Sequence, residues 1–189
     1  FNNKNKYWLG LFDCTGHGVP GAFITMVLLS GIQRIETQNH KITPVVLLKM
    51  IDEYLLEIFQ TEEDKFASSG AEGAIVCFNN DKKSISFAGA KRPLWVQDKN
   101  GKVSEIKSQR RILGQIPKID AWEEKEISID NISRIFLFSD GITDEGNMES
   151  FSFGKERLEE LLSLNIKTSI DSFPNIISKS LKKWRDGAH

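Results

Sequence analysis

The chain is short of cysteine, shows no excess of either charge and carries no obvious linker. Two cysteines, Cys14 and Cys77, cannot build a disulfide framework. They fit a reducing compartment, and a cytoplasmic location is expected. Lysine and arginine number 25 against 26 acidic residues, a formal net charge of −1. With that balance nothing suggests a polybasic membrane anchor or an electrostatic footprint for nucleic acid. No apolar run is expected to reach the ~18–20 residues that a membrane span needs, and no secretory signal is seen. There is no internal repeat, no low-complexity tract and no stretch rich in Pro, Gly or Ser, so residues 1–189 are expected to form a single domain. The first residue is Phe1 rather than Met, and the chain is expected to be a piece of a longer protein.

What is present reads as an ordinary globular pattern. Tyr7 to Phe12 is a short apolar run ending at Asp13 and predicts a buried strand. Pro20 stands where a first helical residue belongs. The run after it (Ala22, Phe23, Ile24, Met26, Val27, Leu28, Leu29, Ile32, Ile35) is apolar nearly all round, which predicts a helix buried on several sides. Thr43-Pro44 opens a second helix, with Thr43 as N-cap. Its core face is Leu47, Leu48, Ile51, Leu55, Ile58 and Phe59, while Asp52, Glu53 and Glu57 are expected to face water. From about Gly73 the apolar period becomes two. Ala74–Phe78 and Ser84–Ala88 read as one hairpin, Pro93–Gln97 and Lys102–Ile106 as another. Glu126–Ile129 and Arg134–Ser139 add two strands, and short connections favour antiparallel pairing. Helices return at Gly154–Leu164 and Ser172–Arg185. Strand, two helices, an antiparallel block and two helices make an α+β pattern.

The segment Asp13 to Phe23 reads DCTGHGVPGAF. Its Gly16, Gly18 and Gly21 satisfy G-x-G-x-x-G, the fingerprint of a dinucleotide loop. That reading needs a second strand straight after the helix, whereas here a second helix follows. A carboxylate just upstream would also repel a pyrophosphate. A cysteine-dependent phosphatase fails too. It needs an arginine six residues after the nucleophile, and that position holds Pro20. The bland reading of Cys14 is a small, partly buried side chain. A second apolar strand, in RIFLFSDG, delivers Asp140 beside Gly141. If the two strands are neighbours, Asp13 and Asp140 meet at one sheet end, where paired carboxylates suit Mg²⁺ or Mn²⁺. The alternative is that each aspartate caps a turn. Spacing leaves both open.

DCTGHGVPGAF and FSDGITD resemble two signature motifs of the PPM-type metal-dependent serine/threonine phosphatases, in the branch named for the stage II sporulation protein E. AGAKRPLW and FGKERLEELL are similar to further segments of that branch. The resemblance implies an αββα sandwich of two antiparallel sheets flanked by helices, and two Mn²⁺ or Mg²⁺ ions. Carried over, Asp13 bridges both ions, with the Cys14 carbonyl as a further ligand. Asp140 binds one ion, and Asp144 serves in the outer shell or at an accessory metal. The cations neutralise the phosphoester and activate water. His17 is either a general acid to the leaving serine oxygen or a loop-fixing hydrogen-bond donor, with the structural role preferred. Gly16 and Gly18 are read as backbone devices, and Lys91 and Arg92 as a solvated loop rather than anion-steering residues.

The family's metal site also needs a Gly-Gly-Asp segment before the first strand and an Asp-Asp pair before a final one. Neither is present, and trimming at both ends is the expected cause. The resemblance further implies a phosphorylated signalling protein as substrate, such as an anti-sigma-factor antagonist, and sensor or regulatory domains elsewhere in the parent. A non-catalytic phosphatase-like binding module is the alternative.

Overall fold

The computed structural model describes residues 5–36, 42–60, 69–116 and 121–187. The chain ends, to which the missing acidic segments were referred, lie outside them. The α+β expectation is borne out, with two antiparallel sheets and four α-helices among the described residues. Contacts gather into two compact units. Phe1–Leu94 with Ile106–Asp130 form the first, and Trp95–Glu105 with Asn131–His189 the second.

The first unit holds the sheet β1-β2-β3-β6, made of β1 (Lys6–Cys14), β2 (Ala71–Asn79), β3 (Ser84–Ala90) and β6 (Lys125–Ser128). β1 runs antiparallel to β2 from Lys6↔Asn79 to Cys14↔Ala71. Asp13 is thus the penultimate residue of β1, inside the ladder rather than after its end. The β2–β3 turn forms as expected, with Asn79 Oδ1 accepting from the Asp81 and Lys82 amides at 3.1 and 3.2 Å. Helices α1 (Gly18–Glu36) and α2 (Pro44–Gln60) complete the unit. Ile24, Leu28 and Ile35 of α1 share a core with Leu48, Ile51 and Leu55 of α2 and Ile75 and Ala88 of the sheet. Each such side chain contributes on the order of 1.5–3 kcal/mol by leaving water.

Four details depart from the sequence reading. First, α1 begins at Gly18, so Pro20 is its third residue, still in the turn where no intrahelical donor is needed. Second, α1 buries one stripe rather than several sides. Val19, Met26 and Leu29 are 83, 66 and 54% exposed, so apolar residues cover a face turned to solvent. The same helix overturns the expectation about span length. Gly18–Ile35 is long and apolar enough to cross a membrane, with mean hydropathy 1.3, because Thr25, Ser30 and Gln33 interrupt the run without charge. Its inner stripe nevertheless packs in the core of this unit.

Third, the Thr43 hydroxyl does not cap α2 and has no hydrogen-bond partner among the described residues. Glu124, remote in sequence, accepts from the Val45 amide at 3.0 Å instead, and a carboxylate suits the positive helix start. Fourth, Glu53 and Glu57 face water as expected, but Asp52 is only 2% exposed. It pairs with Arg111 and accepts from the Gly114 amide at 2.8 Å. Arg111 in turn lies over the Trp122 ring. Asp52 therefore fastens the 111–114 segment to α2, a long-range role that helical periodicity cannot reveal.

The second unit carries the sheet β5-β4-β7, made of β4 (Leu94–Asp98), β5 (Val103–Ile106) and β7 (Ile132–Phe136). Helices α3 (Gly154–Leu164) and α4 (Phe173–Arg185) follow, the latter preceded by a 3₁₀ turn at Ile170–Ser172. Trp95, Val103, Phe153, Leu158, Leu162, Phe173 and Trp184 form its core. Within it, fully buried Gln97 donates to the Leu162 carbonyl at 2.9 Å and accepts from Arg134 at 3.1 Å. Arg134 also donates to the Asn165 and Thr168 carbonyls at 3.1 and 2.6 Å. A cation at the C-terminal end of α3 satisfies carbonyls the helix leaves open. β7 stops at Phe136, short of the expected Ser139.

Removing one partner of a buried ion pair strands the other charge, which costs about 3–5 kcal/mol. Asp52→Ala is therefore expected to lower the urea-unfolding free energy by that amount. Glu53→Ala, on the exposed side of the same turn, should stay within about 0.5 kcal/mol of the parent.

Candidate metal and phosphate site

The Gly-rich loop leaves β1 at Cys14 and enters α1 at Gly18. Gly16 and Gly18 have φ of 88° and 64°, a region that side chains rarely enter. A Cβ on Gly21 would lie 2.8 Å from the Gly16 carbonyl oxygen, so the loop can fold back on the helix only with glycine there. Thr15 pins the loop. Its amide and hydroxyl both donate to the Gly70 carbonyl, at 2.9 and 3.0 Å, and its hydroxyl accepts from the Gly70 amide at 2.9 Å. The G-x-G-x-x-G match thus reflects turn geometry.

The loop and the start of α1 line an open cavity of 460 Å³ whose walls include Asp13, Cys14, Gly16, His17 and Thr25. Asp13 has 37% of its side chain exposed. His17 is exposed and makes no hydrogen bond to another described residue; Thr15, not His17, fixes the loop. Cys14 is half-buried opposite Ala71 at the end of the ladder. Burial pushes its thiol pKa up, only partly offset by a hydrogen bond with Thr25. A raised thiol pKa disfavours the thiolate that nucleophilic chemistry requires.

Behind Asp13 stands a residue the sequence reading placed in solvent. Arg92 is 7% exposed, and its Nη2 lies 2.8 Å from Asp13 Oδ2 and 3.0 Å from Glu72 Oε2. Lys91 Nζ meets the other Glu72 oxygen at 3.2 Å. The cause is local. Lys91 adopts φ 57° and donates its amide to the Gln109 carbonyl at 2.7 Å. A Cβ on Gly89 would lie 2.5 Å from the Arg92 carbonyl oxygen. The chain therefore doubles back after β3 and sends Arg92 inward. Only the register Asp13↔Glu72 gives it two acids to meet, and no local sequence signal shows that pairing.

In the second unit, Asp140 opens a turn four residues past the end of β7. Its carbonyl accepts from the Asp144 amide at 2.8 Å and the Thr143 hydroxyl at 3.0 Å. Asp140 and Asp144 are both exposed. The turn is tied down by the Gly154 amide on the Thr143 carbonyl at 2.8 Å, and by Trp184 Nε1 on the Glu145 carbonyl at 3.1 Å. β1 and β7 belong to different sheets, so the condition on which the sequence reading paired the two aspartates, neighbouring strands, is not met. The antiparallel partner of β1 is β2, and that of β7 is β4.

Partly exposed hard oxygen donors with an uncommitted lone pair fit a divalent cation such as Mg²⁺ or Mn²⁺. Asp13 meets that description, and its Oδ1 has no hydrogen-bond partner among the described residues. Among those residues, however, no group of three or more His, Cys, Asp or Glu gathers into a ligand shell.

With this geometry in hand, comparison with known proteins defines the class. The fold is that of PP2C-type phosphatase domains. The SiaA-PP2C domain of Pseudomonas aeruginosa matches with a TM-score of 0.81 at 23% identity, covering 98% of this chain and 71% of that one. RsbX, solved in complex with magnesium, matches with a TM-score of 0.59 at 11% identity, covering 100% of this chain and 78% of that one. In sequence, the phosphoserine phosphatase RsbP of Bacillus subtilis (strain 168) is 28% identical over 149 residues, which are 75% of this chain and 34% of that protein. The chain thus spans about a third of the length of this curated relative. The profile of the family described as stage II sporulation protein E (SpoIIE) matches residues 3–189, and the chain belongs to that family. PP2C-type phosphatases are metal-dependent as a class.

Two measurements check the loop. Gly21→Ala is expected to destabilise the protein by about 1–3 kcal/mol in urea unfolding, as overpacking does. In a Cys77→Ser background, alkylation of Cys14 should rise with pH along a curve displaced above that of a free thiol, because burial favours the neutral form.

Proposed function

We propose that the chain is the catalytic domain of a metal-dependent protein phosphatase that hydrolyses phosphoserine or phosphothreonine on a signalling protein. The observation that carries this reading is the Asp13 carboxylate near the end of β1, its side chain 37% exposed, with one oxygen held by Arg92 and the other without a hydrogen-bond partner among the described residues. Family membership and the phosphoserine phosphatase RsbP as a relative support it.

In this reading Asp13 and Asp140 hold two Mn²⁺ or Mg²⁺ ions, with the Cys14 carbonyl as a further ligand and Asp144 at an accessory position. The solved RsbX, which contains magnesium, supports a hard cation. Such ions, when bound, neutralise the phosphoryl oxygens and bring a water near the pKa at which hydroxide exists at neutral pH. The protein's own share is to hold the carboxylates, shape the cavity and supply a proton. His17, exposed in that cavity without a described partner, is assigned as the general acid that protonates the leaving serine oxygen. Gly16 and Gly18 keep the loop open beside it. A phosphorylated anti-sigma-factor antagonist is the proposed substrate class. Regulatory domains elsewhere in the parent protein and a cytoplasmic location complete the proposal. A second reading, a phosphatase-like binding module without turnover, is favoured by one observation, the absence of a three-ligand group among the described residues.

The test is turnover of p-nitrophenyl phosphate with Mn²⁺ by the full-length protein, beside Asp13→Asn and Asp140→Asn. Loss of an outer-shell partner costs a metal site about 10–100-fold, so loss of a direct ligand is expected to cost at least the upper figure in both variants. Full-length protein that binds no Mn²⁺ by calorimetry would sink the enzyme reading and leave the binding module.

A further inference from the structure

From the Asp13–Arg92–Glu72 cluster we infer that Arg92 is a positioning residue for the Asp13 carboxylate, and that Glu72 is the counter-charge that lets it act beside a cation site. The inference rests on the metal-dependent reading above and gives a role to two residues, Arg92 of the AGAKRPLW segment and Glu72, to which the family resemblance assigns none.

Three observations carry it. Arg92 reaches Asp13 from the protein side. Asp13 lines the cavity, while neither Arg92 nor Glu72 does, and Arg92 is buried. It therefore holds a residue that meets solvent rather than meeting solvent or substrate itself. Second, the contact is one-sided. Arg92 Nη2 donates to Oδ2 at 2.8 Å, and Oδ1 has no hydrogen-bond partner among the described residues. One oxygen is held and the other is left without a partner among those residues. Third, a guanidinium next to a metal ligand should repel the metal. Here the same Nη2 also contacts Glu72 Oε2 at 3.0 Å, so the pair adds no net charge behind Asp13. Lys91, 43% exposed, holds the remaining Glu72 oxygen and is screened by water. Outer-shell hydrogen bonds of this kind orient metal ligands and tune their basicity.

The charge balance supplies the test. Replacing both members, Arg92→Gln with Glu72→Gln, removes the hold on Asp13 without changing the net charge near it. Mn²⁺ alone is titrated into the full-length protein by calorimetry. The electron paramagnetic resonance of bound Mn²⁺ reads its coordination, and thermal melting verifies folding. The double variant is expected to bind Mn²⁺ about 10–100-fold more weakly and with an altered resonance. Arg92→Lys, with Glu72 kept, is expected to recover part of the loss. Should the double variant fail to melt cooperatively, Glu72→Gln alone decides. It leaves the guanidinium uncompensated on Asp13 and should also weaken Mn²⁺ binding. Unchanged affinity in a folded double variant, with a lower melting temperature only, would show a purely structural role and overturn the inference. Tighter binding would overturn it as well, since Arg92 would then be a competitor for Asp13. Asp13→Asn separates the two levels. If the unsubstituted protein binds no Mn²⁺, or binds it equally well as Asp13→Asn, the metal reading fails and this inference with it. If Asp13→Asn abolishes binding and the Arg92 and Glu72 variants do not weaken it, only the inference fails.

Discussion

Two carboxylates face each other across the β1–β2 ladder, Asp13 and Glu72, and the surrounding architecture is arranged around that repulsion. Like charges directly opposite in a sheet are destabilising. A buried guanidinium between them, with Lys91 on the outer edge, turns the clash into a neutral cluster. The price is backbone geometry: a left-handed Lys91 and a glycine at position 89, where the Arg92 carbonyl leaves no room for a side chain. On the other side, Thr15 ties the Gly-rich loop to Gly70, so the strand that presents Asp13 is held at its end as well as along its length.

The second unit solves a different problem. Asp140 lies on a turn, not in a ladder, and that turn is held by the Gly154 amide at the start of α3 and by the Trp184 indole N–H, both donating to its carbonyls. Buried Gln97 and the Arg134 guanidinium anchor the strands of that unit to the end of α3. In the first unit a cation set behind the partly exposed Asp13 carboxylate holds it, whereas in the second the turn that carries exposed Asp140 is held through its backbone carbonyls. That division of labour suits a phosphatase of the PP2C type, which needs carboxylates steady enough to keep their geometry and open enough to take a ligand.

Much of the fold was legible in periodicity. α3 matched at both ends, and the two hairpins and the proline-led start of α2 were readable because apolar period, turn residues and helix-start signals act over a few neighbours. Errors arose wherever a distant partner decided the outcome. Asp52 looked like a solvent-facing helix residue, and its burial comes from Arg111 and Gly114. Thr43 looked like a cap, and Glu124 does the capping. Arg92 looked like part of a solvated loop, and its burial comes from a cross-strand register. The overlength β7 prediction shares this origin, since Leu137, Phe138 and Ser139 are strand-like by composition but the ladder with β4 ends before them.

The amino-acid sequence by itself determined the element order, the Gly16–Gly18–Gly21 loop and the motifs that mark the SpoIIE family, because each depends on contiguous residues. The rejection of a dinucleotide site came from element order and an upstream carboxylate, and that of a cysteine nucleophile from spacing. Only the tertiary structure decided that Asp13 faces Glu72, that Arg92 is buried between them, and that β1 and β7 belong to separate sheets. Each of those facts depends on which strands pair and in what register. That choice is made by burial summed over whole strands and helices, so no short stretch of sequence contains it.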